Sequence, residues 1–161
     1  MYERILVPLD GSAMAECSLP HATTIAKGCG ATEVVLLQVV EPLSAETVAG
    51  LAKSGGDLLR RAELENQDKA SGYLGKISES LKKEGVGTRT IVVDGNPAEE
   101  IMNYAERNGI DLIVISSHGR SGASRWLFGS VAEKVSRHST IPVLLISAPG
   151  CRSAPVTAKP A

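Results

Sequence analysis

A loop that combines small residues with cations joins a β-branched run to a helical pattern within Ile113–Val131. Gly119 lets the backbone approach an anion closely, and Arg120 supplies a guanidinium that pairs with phosphate. Gly129 and Ser130 stand where the helix begins and its first N–H groups lack partners. An ordinary strand-to-helix connection is about 2–6 residues long, and this one is longer. The pattern predicts a phosphate-binding loop.

Asp10 is the second group with binding chemistry, because it ends the first apolar run of the chain. A carboxylate there could accept hydrogen bonds from a ribose or a base, or it could cap the following helix. The sequence contains neither the P-loop pattern nor the dinucleotide-binding glycine pattern. His118 has no evident nucleophile or base beside it in the pattern, so no catalytic residue is assigned. The prediction is binding, with at most slow hydrolysis of a bound nucleotide.

Alternating strand and helix patterns must position these groups. The predicted strands are Ile5–Leu9, Glu33–Val40, Val86–Val93, Ile110–Ser116 and Ile141–Ile146. The predicted helices are Ala13–Lys27, Asp57–Glu84, one that starts at Pro97 after the cap Asn96, and Ser130–His138. Residues 43–56 are small and polar, and they predict a mobile insertion with a short helical segment. The polar stretch 66–68 of the long helix predicts a solvent-exposed surface.

The order of the elements predicts the α/β class, with a single-domain open five-stranded parallel sheet and helices on both faces. The strand order 3-2-1-4-5 satisfies right-handed crossovers. Ligands of such sheets bind beyond the carboxyl ends of the strands where the order reverses, between the first and fourth strands. Asp10 and the loop after Ser116 end these two strands, so they are predicted to meet there.

Composition limits the function classes. The chain has 161 residues, a net charge of −1 and 3% aromatic residues, which argues against a nucleic-acid partner. Cys17, Cys29 and Cys151 form no C-x-x-C pair, so we expect neither a disulfide nor a zinc site and favour a reducing cytoplasm. No apolar run reaches the ~20 residues of a membrane span, and no signal peptide is evident. Residues 1–147 are expected to form the domain and 148–161 a flexible tail.

Three separated blocks resemble the universal stress proteins. The first is Ile5–Ser12, which resembles the family's opening strand. The second is Ser117–Gly122 followed by Leu127–Val135, which resembles its signature loop, and the third is Ile141–Ile146, which resembles its last strand. The resemblance covers residues 2–147 and implies an adenine nucleotide alpha hydrolase-like sheet of the universal stress protein type.

The ATP-binding branch of that family carries glycine, two residues, glycine, nine residues, then Gly-Ser or Gly-Thr. Gly119, Gly129 and Ser130 match this motif, whereas Ser116 replaces its first glycine. The resemblance implies that one group of residues borders the adenine and ribose, namely Pro8, Leu9, Asp10 and Val39. It implies a second group around the ribose and phosphates, namely Ser116, Gly119, Arg120, Gly129, Ser130 and Val131.

The resemblance further implies a nucleotide-dependent regulator in the stress response, with ATP and Mg²⁺ bound and an unidentified protein partner. It implies a homodimer formed through strand 141–147, which would cover an exposed sheet edge. Because of Ser116, one alternative is a dimeric scaffold that binds no ATP, or a protein that binds another adenine nucleotide such as cyclic AMP. The other alternative is a nucleotidyl transferase of a related fold, which the lack of an H-x-G-H type signature disfavours.

Overall fold

A computed structural model describes residues 2–52, 56–117 and 129–147. The strands are β1 (Arg4–Leu9), β2 (Glu33–Val40), β3 (Thr88–Asp94), β4 (Leu112–Ser116) and β5 (Val143–Ile146). The helices are α1 (Ala13–Glu16), α2 (Leu19–Cys29), α3 (Ala45–Ala52), α4 (Gly56–Lys83), α5 (Pro97–Arg107) and α6 (Ser130–His138). Within these ranges, no helix is both long and apolar enough to cross a bilayer.

The five strands form one parallel sheet in the order β3-β2-β1-β4-β5, which confirms the predicted topology. The middle strands are buried on both faces, as continuous β-branched and leucine runs require. Side chains alternate between two core clusters, one packed with α1, α2 and α4 and the other with α5 and α6. The order reverses between β1 and β4, which places a crevice at their carboxyl ends.

The predicted helix Ala13–Lys27 is wrong in one respect, because it is two helices that break at Cys17 and Ser18. Pro20 is the cause. It lacks an N–H, and its ring would clash with the carbonyl of Glu16 in a continuous helix. The buried Ser18 hydroxyl donates to the Ala15 carbonyl at 2.7 Å and stabilises the break.

Other boundaries shift by one or two residues, while β2 and α6 match their predictions. Asn96 caps α5 as predicted, with its side chain accepting from the Glu99 N–H at 3.5 Å. α3 supplies the helical segment expected in the insertion, whose mobility stays a prediction. The expectation of no disulfide is wrong at Cys17, which is disulfide-bonded, while Cys29 is free. The predicted tail 148–161 lies outside the described residues.

Candidate functional site

A cavity of about 620 Å³ opens at the carboxyl ends of the strands, at the reversal point of the sheet. Eight of the ten predicted site residues line it: Pro8, Leu9, Asp10, Val39, Ser116, Gly129, Ser130 and Val131. The other two, Gly119 and Arg120, lie outside the described residues. The fold therefore brings together groups that are more than 100 positions apart in the sequence.

Asp10 is held in place by the start of α1. Its Oδ1 accepts hydrogen bonds from the Ser12 N–H at 2.9 Å and the Ser12 hydroxyl at 2.6 Å. Ser12 in turn caps α1, since its Oγ accepts from the Ala15 N–H at 3.1 Å. The helix cap is thus Ser12, and Asp10 orients it while lining the cavity. A carboxylate fixed in this way is a pre-oriented acceptor for a ligand hydroxyl.

The start of α6 forms the opposite wall. The Gly129 N–H donates to the Ser117 carbonyl at 2.6 Å, and the Ser117 N–H donates to the Ile146 carbonyl at 2.8 Å. These bonds tie the first turn of α6 to the ends of β4 and β5. Gly129 is the N-cap and offers no side-chain cap, so the N–H groups of Ser130 and Val131 stand at the positive end of a nine-residue helix. This geometry suits an anion.

Two buried polar atoms at the cavity have no hydrogen-bond partner in the described part of the chain. They are the Gln38 Oε1 and the Ser116 Oγ, on residues that are 8% and 5% exposed. A buried polar atom left unsatisfied costs about 1–3 kcal/mol, so native proteins rarely retain one without a reason. Both residues line the same cavity. A ligand that hydrogen-bonds there would supply the missing partners.

One face of α4 also lines the cavity, and these lining residues were not predicted from the sequence. Asn66, Lys69, Ala70 and Tyr73 line it. Their spacing of three and four residues places them on one helical face, and that spacing was the available signal. The stretch 66–68 is therefore only partly exposed to solvent, which corrects the prediction. Asn66 faces the cavity, and the Gln67 amide donates to the Asp94 carboxylate at 2.7 Å.

Tyr73 connects α4 to α1. Its hydroxyl donates to the Glu16 carboxylate at 3.0 Å. Burial, and next the negative charge of Glu16, raise the pKa of Tyr73 well above its usual range, so the phenol is neutral. This hydrogen bond joins α4, which lines one side of the cavity, to α1.

The described lining carries the carboxylates Asp10 and Glu41 and one ammonium group, Lys69, which contacts Glu65 at 2.7 Å. The described residues contain no group of three or more His, Cys, Asp or Glu side chains placed to hold a metal ion. A divalent ion that arrives on nucleotide phosphates needs only one or two protein carboxylates. Asp10 has the right chemistry for that role.

Comparison with known proteins gives a consistent result. The universal stress protein family profile matches residues 1–147. Universal stress protein MJ0577 of Methanocaldococcus jannaschii is 34% identical over 155 residues, which cover 91% of this chain and 95% of the relative. Universal stress protein YxiE of Bacillus subtilis is 35% identical over 150 residues, which cover 91% and 99%.

Solved structures agree on the fold. The structure of MJ0577 has a TM-score of 0.78 at 33% identity and covers 91% of this chain and 96% of that one. A universal stress protein solved in complex with cAMP has a TM-score of 0.66 at 23% identity, with 90% and 97% covered, a similarity of fold. The profile match and the two curated relatives together show that the chain belongs to the universal stress protein family.

Proposed function

We propose that this protein binds an adenine nucleotide, ATP with Mg²⁺, in the cavity between β1 and β4 and acts as a nucleotide-dependent regulator in the stress response. The observation that carries the proposal is a pair of buried polar atoms without partners in the described structure, Gln38 Oε1 and Ser116 Oγ, both on residues that line this cavity. A cavity that evolved only for packing would be lined with satisfied or apolar groups.

The α6 N-terminus supports the placement of the phosphates. Ser130 and Val131 offer N–H groups, and the helix dipole favours negative charge there. Asp10 stands across the cavity, where it would accept from a ribose hydroxyl or approach the Mg²⁺ carried by the phosphates. The described lining brings no nucleophile–base pair to the phosphates, so the proposal is binding that biases a partner interaction, with hydrolysis slow at most.

Titration calorimetry with ATP, AMP and cyclic AMP tests the proposal, using the wild type and Gly129→Asp. Gly129 has φ −60° and ψ 143°, a conformation open to any residue, and aspartate is a good N-cap. The variant should therefore keep its melting temperature while its carboxylate occupies the anion position. We expect ATP affinity to fall by at least about tenfold, since a like charge replaces the dipole's attraction.

Gly72→Asp is the matched control, because it adds the same charge to an exposed position of α4 outside the cavity. It should bind ATP like the wild type. The proposal is wrong if the wild type binds none of the three nucleotides, or if Gly129→Asp binds ATP as tightly as the wild type does.

A second candidate ligand is cyclic AMP, and Ser116 is the observation in its favour. Its Cβ and hydroxyl stand where the ATP-binding motif has glycine, so they narrow the space beside the ribose and offer it a hydrogen bond. The same titration decides between the two, because tight cyclic AMP binding with weak ATP binding would select this alternative.

We further propose a homodimer formed through β5. β5 is an edge of the sheet, and Val143, Leu144 and Leu145 are only partly buried within one chain. Pairing this edge with a second copy would cover both its backbone groups and these side chains. Sedimentation velocity of the full chain should show a dimer at micromolar concentration, and a monomer there would contradict the proposal. A cytoplasmic location is likewise proposed, to be checked by cell fractionation.

A further inference from the structure

Gln38, Leu9 and Ser116 line the cavity as a row on the neighbouring strands β2, β1 and β4. Gln38 is the register partner of Leu9 between β2 and β1. On the other side of β1 lies β4, which pairs with β1 at Ile5–Leu112 and Leu6–Ile113 and ends at Ser116. Neighbouring strands lie about 4.8 Å apart, so the two unpartnered side chains start from backbones about 10 Å apart. That separation suits the two ends of a nucleoside.

The charges around the cavity determine how a nucleotide would be oriented along this row. The N–H groups of α6 stand beside the β4 end, where the Gly129 N–H contacts the Ser117 carbonyl. The β2 end carries the Glu41 carboxylate, which repels an anion, and the apolar side chains of Val39 and Val40. The phosphates therefore belong at the β4 end, and the base belongs over β2.

We propose that the Gln38 carboxamide contacts the edge of the nucleobase and makes the cavity selective for adenine. This inference rests on the proposed nucleotide binding and adds the residue that determines the base. A carboxamide offers one acceptor and one donor side by side, which match the N6 amine and N7 of adenine. The buried Oε1 of Gln38 has no partner in the described structure, and the adenine amine supplies one.

The test compares ATP with ITP, whose base carries an oxygen in place of the N6 amine. Calorimetry is run on the wild type and on Gln38→Met, which keeps the side-chain length and removes both hydrogen-bonding groups. The wild type should prefer ATP by about tenfold, and the variant should bind the two nucleotides within about twofold of each other. The substitution should weaken the binding of ATP and leave the affinity for ITP nearly unchanged.

Gln67→Met is the matched control. Gln67 lies on α4 outside the cavity and bonds to Asp94, so the same substitution there should leave the preference for ATP intact. A second measurement, by NMR spectroscopy, follows nucleotide binding to the wild type alone. The side-chain amide resonances of Gln38, assigned by their absence in Gln38→Met, should shift when ATP is added to the wild type and shift much less with ITP.

The outcomes of this test distinguish the role of Gln38 from the proposed nucleotide binding on which it rests. If the wild type binds ATP and ITP equally, or if Gln38→Met keeps the wild-type preference for ATP, the role of Gln38 is wrong and nucleotide binding stands. If the wild type binds neither ATP nor ITP, the proposed binding of ATP is wrong, and the inference about Gln38 fails with it.

Discussion

The two ends of the sheet each carry a cavity, and the polar groups in them are treated in opposite ways. At the amino ends of the strands, a cavity of about 410 Å³ is lined by Arg4, Glu33, Arg89 and Asn108, among others. The Glu33 carboxylate contacts the Arg89 Nε at 3.0 Å and the Arg4 Nε at 4.0 Å, and the Arg4 Nη1 donates to the Asn108 carbonyl at 2.8 Å. The protein supplies these contacts itself.

At the carboxyl ends, the larger cavity leaves the Gln38 Oε1 and the Ser116 Oγ buried without partners in the described structure. Polar groups that satisfy one another stabilise a fold, whereas a buried polar atom without a partner lowers stability until something binds it. The comparison indicates that hydrogen-bond satisfaction distinguishes the proposed binding cavity from the cavity at the amino ends, although polar groups line both. Changes at the amino end should alter stability, and changes at the carboxyl end should alter binding.

The largest effect is expected from Gly87→Ala, at the amino end. A Cβ at Gly87 would lie 2.7 Å from the backbone carbonyl oxygen of Thr32, closer than the backbone can accommodate without moving. Gly87 also accepts from the Val34 N–H at 2.8 Å, so a shift would disturb the β2–β3 pairing. We expect a loss of about 2 kcal/mol in the free energy of unfolding, measured by urea denaturation.

Gly72→Ala is the control for Gly87→Ala, because nothing lies within 4 Å of a Cβ at this glycine of α4. Replacing a helical glycine there should stabilise the protein by about 0.5–1 kcal/mol. ATP affinity should be the same in both variants once the protein is folded. A tenfold loss of affinity in folded Gly87→Ala would break the division of the molecule into a stability end and a binding end.

Ser116→Ala, at the carboxyl end, is expected to change the free energy of unfolding by less than Gly87→Ala does, and in the opposite direction. Removing an unsatisfied buried hydroxyl should raise the stability of the ligand-free protein by about 1 kcal/mol, and removing a ligand contact should weaken ATP binding about fivefold. Thermal denaturation and calorimetry measure the two quantities. A hydroxyl with a purely structural role would give the reverse sign, a lower melting temperature with unchanged affinity.

The sequence predicted the parts of this site that obey local rules. The strand order follows from the alternating apolar runs, and the sheet's reversal point placed Asp10 opposite Ser116 without any knowledge of side-chain contacts. The role of α4 was not predicted, because the polar residues Asn66 and Lys69 look like a solvated helix face until the helix is packed on the sheet. The break at Pro20 was predictable from its missing N–H, and the apolar spacing on either side obscured it.

Gln38 shows a different limit. In the sequence it is one polar residue inside an apolar strand, and nothing in the strand pattern distinguishes a satisfied polar group from an unsatisfied one. Only the three-dimensional packing shows that its carboxamide oxygen is buried beside a cavity with no partner in the described chain. Hydrogen-bond satisfaction depends on contacts between distant segments, so periodicity does not predict it.

The smallest change in stability is expected from Asp111→Asn, at the amino ends of the strands. The Asp111 carboxylate accepts from the N–H groups of Glu3 at 2.9 Å and Arg4 at 2.8 Å, and it joins the start of β4 to the start of β1. The Arg4 and Glu3 N–H groups lower the pKa of Asp111 below its usual value. Because Asp111 is only partly buried and solvent screens its charge, the charge should contribute only about 0.5 kcal/mol to stability at neutral pH.

The sign of the pH dependence follows from that lowered pKa. The stabilisation by Asp111 is complete above its unfolded-state pKa of about 3.9 and is lost as the pH falls through the lower folded-state pKa. The wild type and Asp111→Asn should therefore differ in urea midpoint at pH 6 and converge as the pH falls through the lowered folded-state pKa of Asp111. Asp68→Asn, at an exposed position of α4, changes the net charge equally and should give no such convergence. A difference that stays constant with pH would mean that the charge of Asp111 contributes nothing to this end of the sheet.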